Sequence, residues 1–426
     1  MEVFNNVNLS ASFMASLSPE AQLPEGLPEA SGISFHSGRV KAGDAFFALP
    51  GEQQHGIIYA EDALARGAAF IVSDLPHPQG IQVSQPDQLL LQLGRHARTE
   101  LTKPIIGITG SAGKTSTKAF VAAALAAEAS PGNFNTPFAL AQTLVEHCLY
   151  KSGKILVLEL GIDHQGEMQR LVDLVRPDYA LITSIGASHL LGLGSLENVA
   201  KEKSTILSLG AKGLVSTQAA RFVTDYPTET YGLETATYQA DLSRDETSLS
   251  YKTIVLRLPR PGKAMAINAT AALAMADILG IDLQDAAQRL EQTKLEPGRL
   301  EFKRLGQLLI IDDTYNSNPL SVTEALTILR KQAGPHIAIL GDMLELGGQS
   351  HHYHHELGEA TRDLRTYAIG RESIAILEAN PKAKHYLTVE SFLAQLPQFD
   401  KGSILVKGSR GMKLERVVDA LMGVKS

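Results

Sequence analysis

The chain has 426 residues, 44% of them hydrophobic, a length that calls for two or three domains and a composition that fits a globular protein and excludes a disordered or fibrous one. Its net charge of −7 speaks against non-specific nucleic-acid binding, the single Cys148 excludes an internal disulfide, and no apolar run is long enough for a membrane span. The start, Met1-Glu2-Val3-Phe4, lacks the basic and apolar segments of a signal peptide, so a cytoplasmic protein with no nucleic-acid or membrane partner is expected.

Residues 1–100 read as a small mixed α/β unit. Asp44 to Leu49 is a predicted strand closed by Pro50-Gly51, Tyr59 to Arg66 a short helix, and Ala68 to Val72 a second strand. No acid, base or metal cluster marks this region, which leaves a recognition role and a purely structural one equally open.

From 101 to 299 apolar strand-like runs alternate with helical ones, the pattern of a mainly parallel sheet covered on both faces. Pro104 to Thr109 is a strand, Gly110-Ser111-Ala112-Gly113-Lys114-Thr115-Ser116 a Gly-rich loop, and the Ala-rich stretch that follows, from Lys118 to Leu125, a helix. Such a loop turns backbone N–H groups toward one point, with the positive end of a helix dipole behind them, so a polyphosphate can be held there. Lys114 would reach the β and γ phosphates, and the Thr115 hydroxyl would ligate Mg²⁺. The loop is a variant, because the first Gly of the strict phosphate-loop pattern is replaced by Ile108, with glycines at Gly107 and Gly110 instead.

Lys154 to Gly161 is a further apolar strand carrying Glu159 at its end, and Asp178 to Ile185 another, followed by His189. Ligands gather at the carboxyl ends of strands in open α/β sheets. Glu159 and His189 are therefore expected on the rim of the phosphate loop, as ligands of a Mg²⁺ bridging nucleotide and substrate.

Beyond Pro297-Gly298-Arg299 a new alternation begins, and residues 300–426 read as a Rossmann-like domain with strands at Leu308 to Ile311, Ile337 to Leu340, Tyr367 to Ile369 and Ile404 to Val406. Polar segments leave three of these strands: Asp312 to Pro319, Gly341-Asp342-Met343, and Lys407 to Arg410. Their charged groups are expected to face the phosphate loop as this domain closes over it. His351-His352-Tyr353-His354-His355 reads as a helix start with solvent-facing histidines, because no Glu follows the first His and no third ligand lies nearby in sequence. The expected fold is α/β with three domains: a small mixed N-terminal one, a central P-loop ATPase-like parallel sheet, and a C-terminal Rossmann-like one.

Taken together these segments resemble the Mur ligases of peptidoglycan precursor synthesis, over nearly the whole chain. The likeness rests on Thr109 to Thr115, Glu159-Leu160-Gly161 with Gly166-Glu167-Met168, His189 with Gly192 and Gly194-Ser195-Leu196, and Lys201-Glu202-Lys203. It continues through Asn268 to Ala272, Pro297 to Leu300, Asp312 to Pro319, Gly341 to Gly347, His354 with Gly358, and Lys407 to Arg410. The D-D-T-Y-N-x-N-P, G-D-M-x-E-L-G and K-G-S-R segments are similar to those of the member that adds D-alanyl-D-alanine to UDP-N-acetylmuramoyl-tripeptide.

The resemblance implies an ADP-forming amide ligase working through an acyl phosphate on small-molecule substrates; nothing in the sequence suggests an obligate oligomer, and a monomer is expected. It implies ATP phosphates on Gly110, Ser111, Ala112, Gly113, Lys114, Thr115 and Ser116, adenine at Asn268, and the nucleotide held across the hinge by Arg299 and Asp313. It implies Mg²⁺ near Thr115, Glu159 and His189. Lys203 looks like the family's carbamylated lysine: a cation repels an ammonium, whereas a carbamate on the same stem is an anionic oxygen ligand. A surface lysine paired with Glu202 or Glu197 is the alternative that spacing leaves open. Lys114, Glu159, His189 and Lys203 form the implied catalytic set. Asn133, Asn135, Thr136, Tyr315, Asn316, Asn318, Lys407, Ser409 and Arg410 are the implied substrate contacts.

The chain departs from the family at His36-Ser37-Gly38 before Arg39, where Asp-Ser-Arg or Asp-Thr-Arg is usual, and at Asn133 to Ala141, where Asn-x-Asn-Asn is usual. In the family both segments face the UDP-linked substrate, and the resemblance implies the same here. A Mur-type ligase with a different acceptor is the neighbouring alternative. A P-loop NTPase switch is the alternative from another class, opposed by the lack of a guanine-reading Asn-Lys-x-Asp segment.

Overall fold

Four short strands near the N-terminus, Gly32–Ser34, Asp44–Phe47, Phe70–Ser73 and Gly80–Gln82, pair in sequence order as a parallel sheet. The computed structural model describes residues 9–423 apart from 19, 52 and 152. Every residue of the two inner strands is buried, as expected for parallel strands covered on both faces.

The helix Pro86–Glu100 then carries the chain onto the central domain, burying Leu89, Leu90, Leu93, Gly94 and Ala97. Gly94 permits the close approach, since a Cβ there would lie 2.8 Å from the Cα of Ala141 on the helix Pro137–Lys151. Arg98 fixes the far end, donating to the carbonyls of Val175 and Arg176 at 2.8 Å each and to Asp178 Oδ2 at 3.0 Å.

The central sheet has seven parallel strands. In spatial order they are Tyr238–Gln239, Thr228–Gly232, Lys212–Ser216, Tyr179–Ile182, Ile105–Thr109, Leu156–Glu159 and Glu128–Ala129. Ile105–Thr109 lies between strands reached by connections running in opposite directions, so a crevice opens at its carboxyl end. The mainly parallel sheet expected here is joined by one antiparallel ribbon, Asp241–Leu242, Ser248–Tyr251 and Ile254–Arg257. The buried–exposed alternation of Ile254–Arg257 is the signature of a sheet with one wet face.

The C-terminal sheet has six strands in the order Glu301–Leu305, Gln307–Asp313, Lys401–Lys407, His336–Gly341, Arg365–Ile369 and Lys384–Tyr386, all parallel except the first. Its register sets Asp313 beside Lys407 at the carboxyl ends of two neighbouring strands. Two expectations for this domain are corrected. Asp342 does not face the phosphate loop: its buried carboxylate accepts from the N–H groups of Arg371 at 3.0 Å and Ser373 at 2.8 Å, tying down the next strand's exit. Of the clustered histidines, His351 and His352 are exposed, but His354 is buried and its Nε2 accepts the N–H of Met343 at 3.0 Å, so it braces the loop after His336–Gly341.

One apolar core runs from the N-terminal sheet through the central domain into the near face of the C-terminal sheet, and a second fills that sheet's far face around Tyr367, Phe392 and Leu414. Each fully buried aliphatic or aromatic side chain contributes about 1.5–3 kcal/mol. Among the described residues no helix is long and apolar enough to cross a membrane.

Candidate active site

The phosphate loop begins where Ile105–Thr109 ends. Gly110 has φ +151°, and a Cβ there would lie 2.0 Å from Thr183 Oγ1, so only glycine fits. Gly113, at φ +83°, turns the chain into the helix Lys114–Ala124, whose start has no side-chain cap. The N–H groups of Ser111 and Ala112 are taken by Ser184, through its carbonyl at 2.9 Å and its hydroxyl at 2.8 Å. The anion cradle expected over Gly110–Ser116 is therefore concentrated at Gly113–Ser116, whose first-turn N–H groups have no acceptor within the helix. The Ser111 hydroxyl is used structurally, donating to the Gly186 carbonyl at 2.8 Å.

Lys114 Nζ donates to the Gly110 carbonyl at 2.7 Å. Desolvation lowers its pKa, Glu159 opposes that shift and Arg299 adds to it. Thr115 Oγ1 donates to Glu159 Oε2 at 2.8 Å and accepts from Arg299 Nη2 at 2.7 Å. Hydroxyl and carboxylate oxygens this close are the donor set a hard divalent cation such as Mg²⁺ takes, so Thr115 and Glu159 fit the metal role. Asn135 Nδ2 reaches Glu159 Oε1 at 3.5 Å, bringing the loop 131–136 to the same carboxylate.

His189, in the left-handed region at φ +52°, places Nδ1 2.8 Å from Asp163 and 2.7 Å from Glu345, with both carboxylates off the axis of a hydrogen bond. Desolvation works against its charged form, but these two carboxylates outweigh it and raise its pKa. Ligand atoms of the three residues lie within 4.8 Å of one another. Lys203 is fully buried behind this group and is no surface lysine. Burial first, and the charge of Lys114 second, push its pKa far down.

The C-terminal domain supplies the other wall. Lys407 Nζ lies 2.5 Å from Asp313 Oδ2 and donates to the Asn316 carbonyl at 2.8 Å. The Arg299 guanidinium stacks 3.7 Å from the Tyr315 ring centre, and Arg410 lies 5.7 Å from the same ring. Asn318 caps its helix and also donates to the Ser111 carbonyl at 2.9 Å, linking the two domains at the phosphate loop. Between these walls lies one cavity of about 800 Å³, lined by Lys114, Thr115, Glu159, His189, Asp313 and Lys407 among others. Asn133, Asn135, Thr136, Asn268, Arg299, Tyr315, Asn316, Asn318 and Arg410 also line it.

Three expected residues, Gly110, Lys203 and Ser409, lie outside the lining. Lys203 is buried, near enough to Lys114 and Asp163 for their charges to act on it. Ser409 is buried and accepts the N–H of Leu344 at 2.9 Å. The two segments that depart from the family's usual pattern meet each other, with Arg39 stacked 4.6 Å over the Phe134 ring.

Sequence reasoning passed over three participants. Asp163 and Glu345 meet at His189 only through the tertiary fold, although Glu345 lay within a recognised segment. In the sequence Lys118 stands only as the first residue of a helical stretch, yet it is buried, donates to the Gly132 carbonyl and lies 3.7 Å from Glu159 Oε2. Its spacing of four from Lys114, on the same helix face, was the available signal.

Residues 108–276 match the model of the Mur ligase middle domain, and residues 298–410 that of the Mur ligase glutamate ligase domain. The chain is 32% identical over 417 residues to the UDP-N-acetylmuramoyl-tripeptide--D-alanyl-D-alanine ligase of Escherichia coli (strain K12), covering 90% of this chain and 92% of the relative. It is 33% identical over 430 residues to the enzyme of the same name from Bacillus subtilis (strain 168), covering 92% and 93%. Among solved structures, MurF from Acinetobacter baumannii superposes with a TM-score of 0.86 at 30% identity, covering 98% of this chain and 99% of that one. MurF ligase from Thermotoga maritima in complex with ADP gives 0.81 at 26% identity, covering 92% and 97%. With a phosphate loop, a carboxylate-bearing strand end and an opposing Rossmann-like domain all matched along its length, the chain belongs to the Mur ligase family.

Proposed function

We propose that this protein joins D-alanyl-D-alanine to UDP-N-acetylmuramoyl-tripeptide at the expense of ATP, in peptidoglycan precursor synthesis. The observation that carries the reading is the single cavity in which the phosphate loop faces Asp313 and Lys407 of another domain. The full-length likeness to ligases bearing that name supports it. Residues 1–100 would recognise the UDP-linked substrate, 101–299 bind ATP, and 300–426 present the dipeptide, in a cytoplasmic monomer.

A carboxylate cannot form an amide directly, because oxide is not a viable leaving group. Its oxygen attacks the γ-phosphorus of ATP, ADP departs, and the resulting acyl phosphate is open to the amine, which expels phosphate. Gly113–Ser116 and Lys114 hold and neutralise the phosphates; Arg299, braced on Tyr315, carries further positive charge to them. Mg²⁺ at Thr115 and Glu159 would supply additional charge neutralisation. The Asn133–Thr136 loop and the Asn316–Asn318 segment orient the two reactants from opposite walls, and the docked C-terminal domain limits the water that would hydrolyse the activated carboxyl group. The suppressed pKa of Lys203 favours the neutral amine that carbon dioxide requires for carbamate formation, which supports that modification.

Phosphate release is the test. With ATP and Mg²⁺ it is expected to require both the UDP-linked tripeptide and D-alanyl-D-alanine, and Lys114→Ala is expected to slow it at least about a hundredfold. Release that is indifferent to both co-substrates would instead indicate a nucleotide switch.

A further inference from the structure

Lysine is almost never fully buried unless its ammonium is paired. Lys118 is 4% exposed and lies one helical turn further along the helix than Lys114. Its Nζ donates to the Gly132 carbonyl and lies 3.7 Å from Glu159 Oε2, the oxygen that Thr115 also uses. The other Glu159 oxygen faces Asn135 at 3.5 Å.

Gly132 and Asn135 belong to one loop, which leaves the strand Glu128–Ala129 and enters the helix Pro137–Lys151. Gly132 itself takes φ +47° at an exposed turn, and the space around the position of its missing side chain is empty to 4 Å. Lys118 and Glu159 thus grip the loop at two points from beneath, and Asn133, Asn135 and Thr136 above line the cavity.

We propose that Lys118 is a positioning residue that clamps the loop 131–136 to the metal-facing carboxylate of Glu159, coupling acceptor recognition to cation binding. The acceptor's identity rests on the function proposed above; the clamp does not. Its consequence is an opposition of sign. The ammonium holds the loop in the acceptor-binding shape, yet it shares an oxygen with the incoming cation and so weakens cation binding. Removing it should loosen the acceptor and tighten the metal. A residue that only supported the fold would weaken both.

The test compares the intact enzyme with Lys118→Met, which keeps length without charge or donor, and with Lys118→Arg, which keeps both. Hydrogen exchange across 131–136, measured without ligands, is expected to rise about tenfold or more in Lys118→Met, the scale of one lost charged hydrogen bond. Calorimetric binding of UDP-N-acetylmuramoyl-tripeptide is expected to weaken by about the same factor, and Mn²⁺ binding to the enzyme–ADP complex, followed by electron paramagnetic resonance, to tighten about threefold or more. Lys118→Arg is expected to restore all three. Should Lys118→Met not fold, Lys118→Gln, which retains a donor without the charge, is expected to show the Mn²⁺ gain with a smaller loop effect. Unchanged loop exchange in Lys118→Met, or Mn²⁺ binding that weakens or stays constant in whichever uncharged variant folds, overturns the clamp. Failure of the intact enzyme to bind the tripeptide would count against the proposed function alone, because exchange and Mn²⁺ binding still decide the role of Lys118.

Discussion

Thr115 Oγ1 sits at the meeting point of the site, donating to Glu159 and accepting from Arg299. One hydroxyl therefore links the phosphate helix, a central strand end and the hinge to the C-terminal domain. Lys203 lies nearby, and its charged form is disfavoured by burial and by Lys114. In ¹³C-enriched bicarbonate the protein is expected to show a carbamate resonance that Lys203→Ala lacks, together with a loss of ligation of about a hundredfold or more in that variant. A Lys203→Ala enzyme of full activity would remove this residue from the site. At this scale the sequence was informative where roles are local. Lys114 and Thr115 follow from the glycines before them, and Glu159 and His189 from their places after apolar strands. It was silent on Lys118 and Glu345, whose partners arrive from a later loop and from another domain.

The elements show how closely the chain packs around that site. Gly94 lets the helix Pro86–Glu100 lie against Pro137–Lys151, the helix that the loop 131–136 enters. Gly94→Val is expected to destabilise the protein by about 1–3 kcal/mol, read as a lower urea midpoint with an unchanged slope, because the backbone of Ala141 cannot move aside. An unaltered midpoint would show that the helices can separate freely. The strands Ile105–Thr109, Leu156–Glu159 and Tyr179–Ile182 of the central sheet, and the four inner strands of the C-terminal sheet, were legible because parallel strands buried on two faces read as continuous hydrophobic runs. The central strands Lys212–Ser216, Thr228–Gly232, Tyr238–Gln239 and Glu128–Ala129, two residues long or interrupted by polar residues and glycine, were missed. The ribbon Asp241–Leu242, Ser248–Tyr251 and Ile254–Arg257, and the edge strands Glu301–Leu305 and Lys384–Tyr386, were not legible either: each is short or polar on one side. Asp342 misled for a related reason. A carboxylate after a strand can serve a ligand or satisfy backbone N–H groups, and only the neighbouring chain decides which.

In the whole molecule, the C-terminal domain is held over the phosphate loop by polar contacts from separate segments. Asn318 donates to the Ser111 carbonyl, the Leu191 N–H to the Glu345 carbonyl at 2.9 Å, and the Ala264 N–H to Glu324 at 2.9 Å. The Glu345 carboxylate adds an ion pair to His189. Burial opposes the imidazolium, yet Asp163 and Glu345 raise its pKa above the ordinary 6.5, while His189 holds Asp163 below the ordinary 3.8. A raised imidazole pKa stabilises below the unfolded value and loses that contribution as pH climbs through the folded one. A depressed carboxylate pKa stabilises above the unfolded value and is lost as pH falls. The pair is thus fully engaged between these two ordinary values and weakens above them. Small-angle scattering is expected to show a larger radius of gyration once pH passes above the imidazole range, a trend that Glu345→Gln should flatten.

Domain docking has a chemical purpose only if the acceptor's own carboxylate is activated by phosphorylation. The most direct measurement of that claim supplies UDP-N-acetylmuramoyl-tripeptide labelled with ¹⁸O in its terminal carboxylate, together with ATP, Mg²⁺ and D-alanyl-D-alanine, and weighs the phosphate released. One ¹⁸O atom in each phosphate, alongside a pentapeptide product, is the expected result. Unlabelled phosphate formed at the rate of ligation would contradict the account.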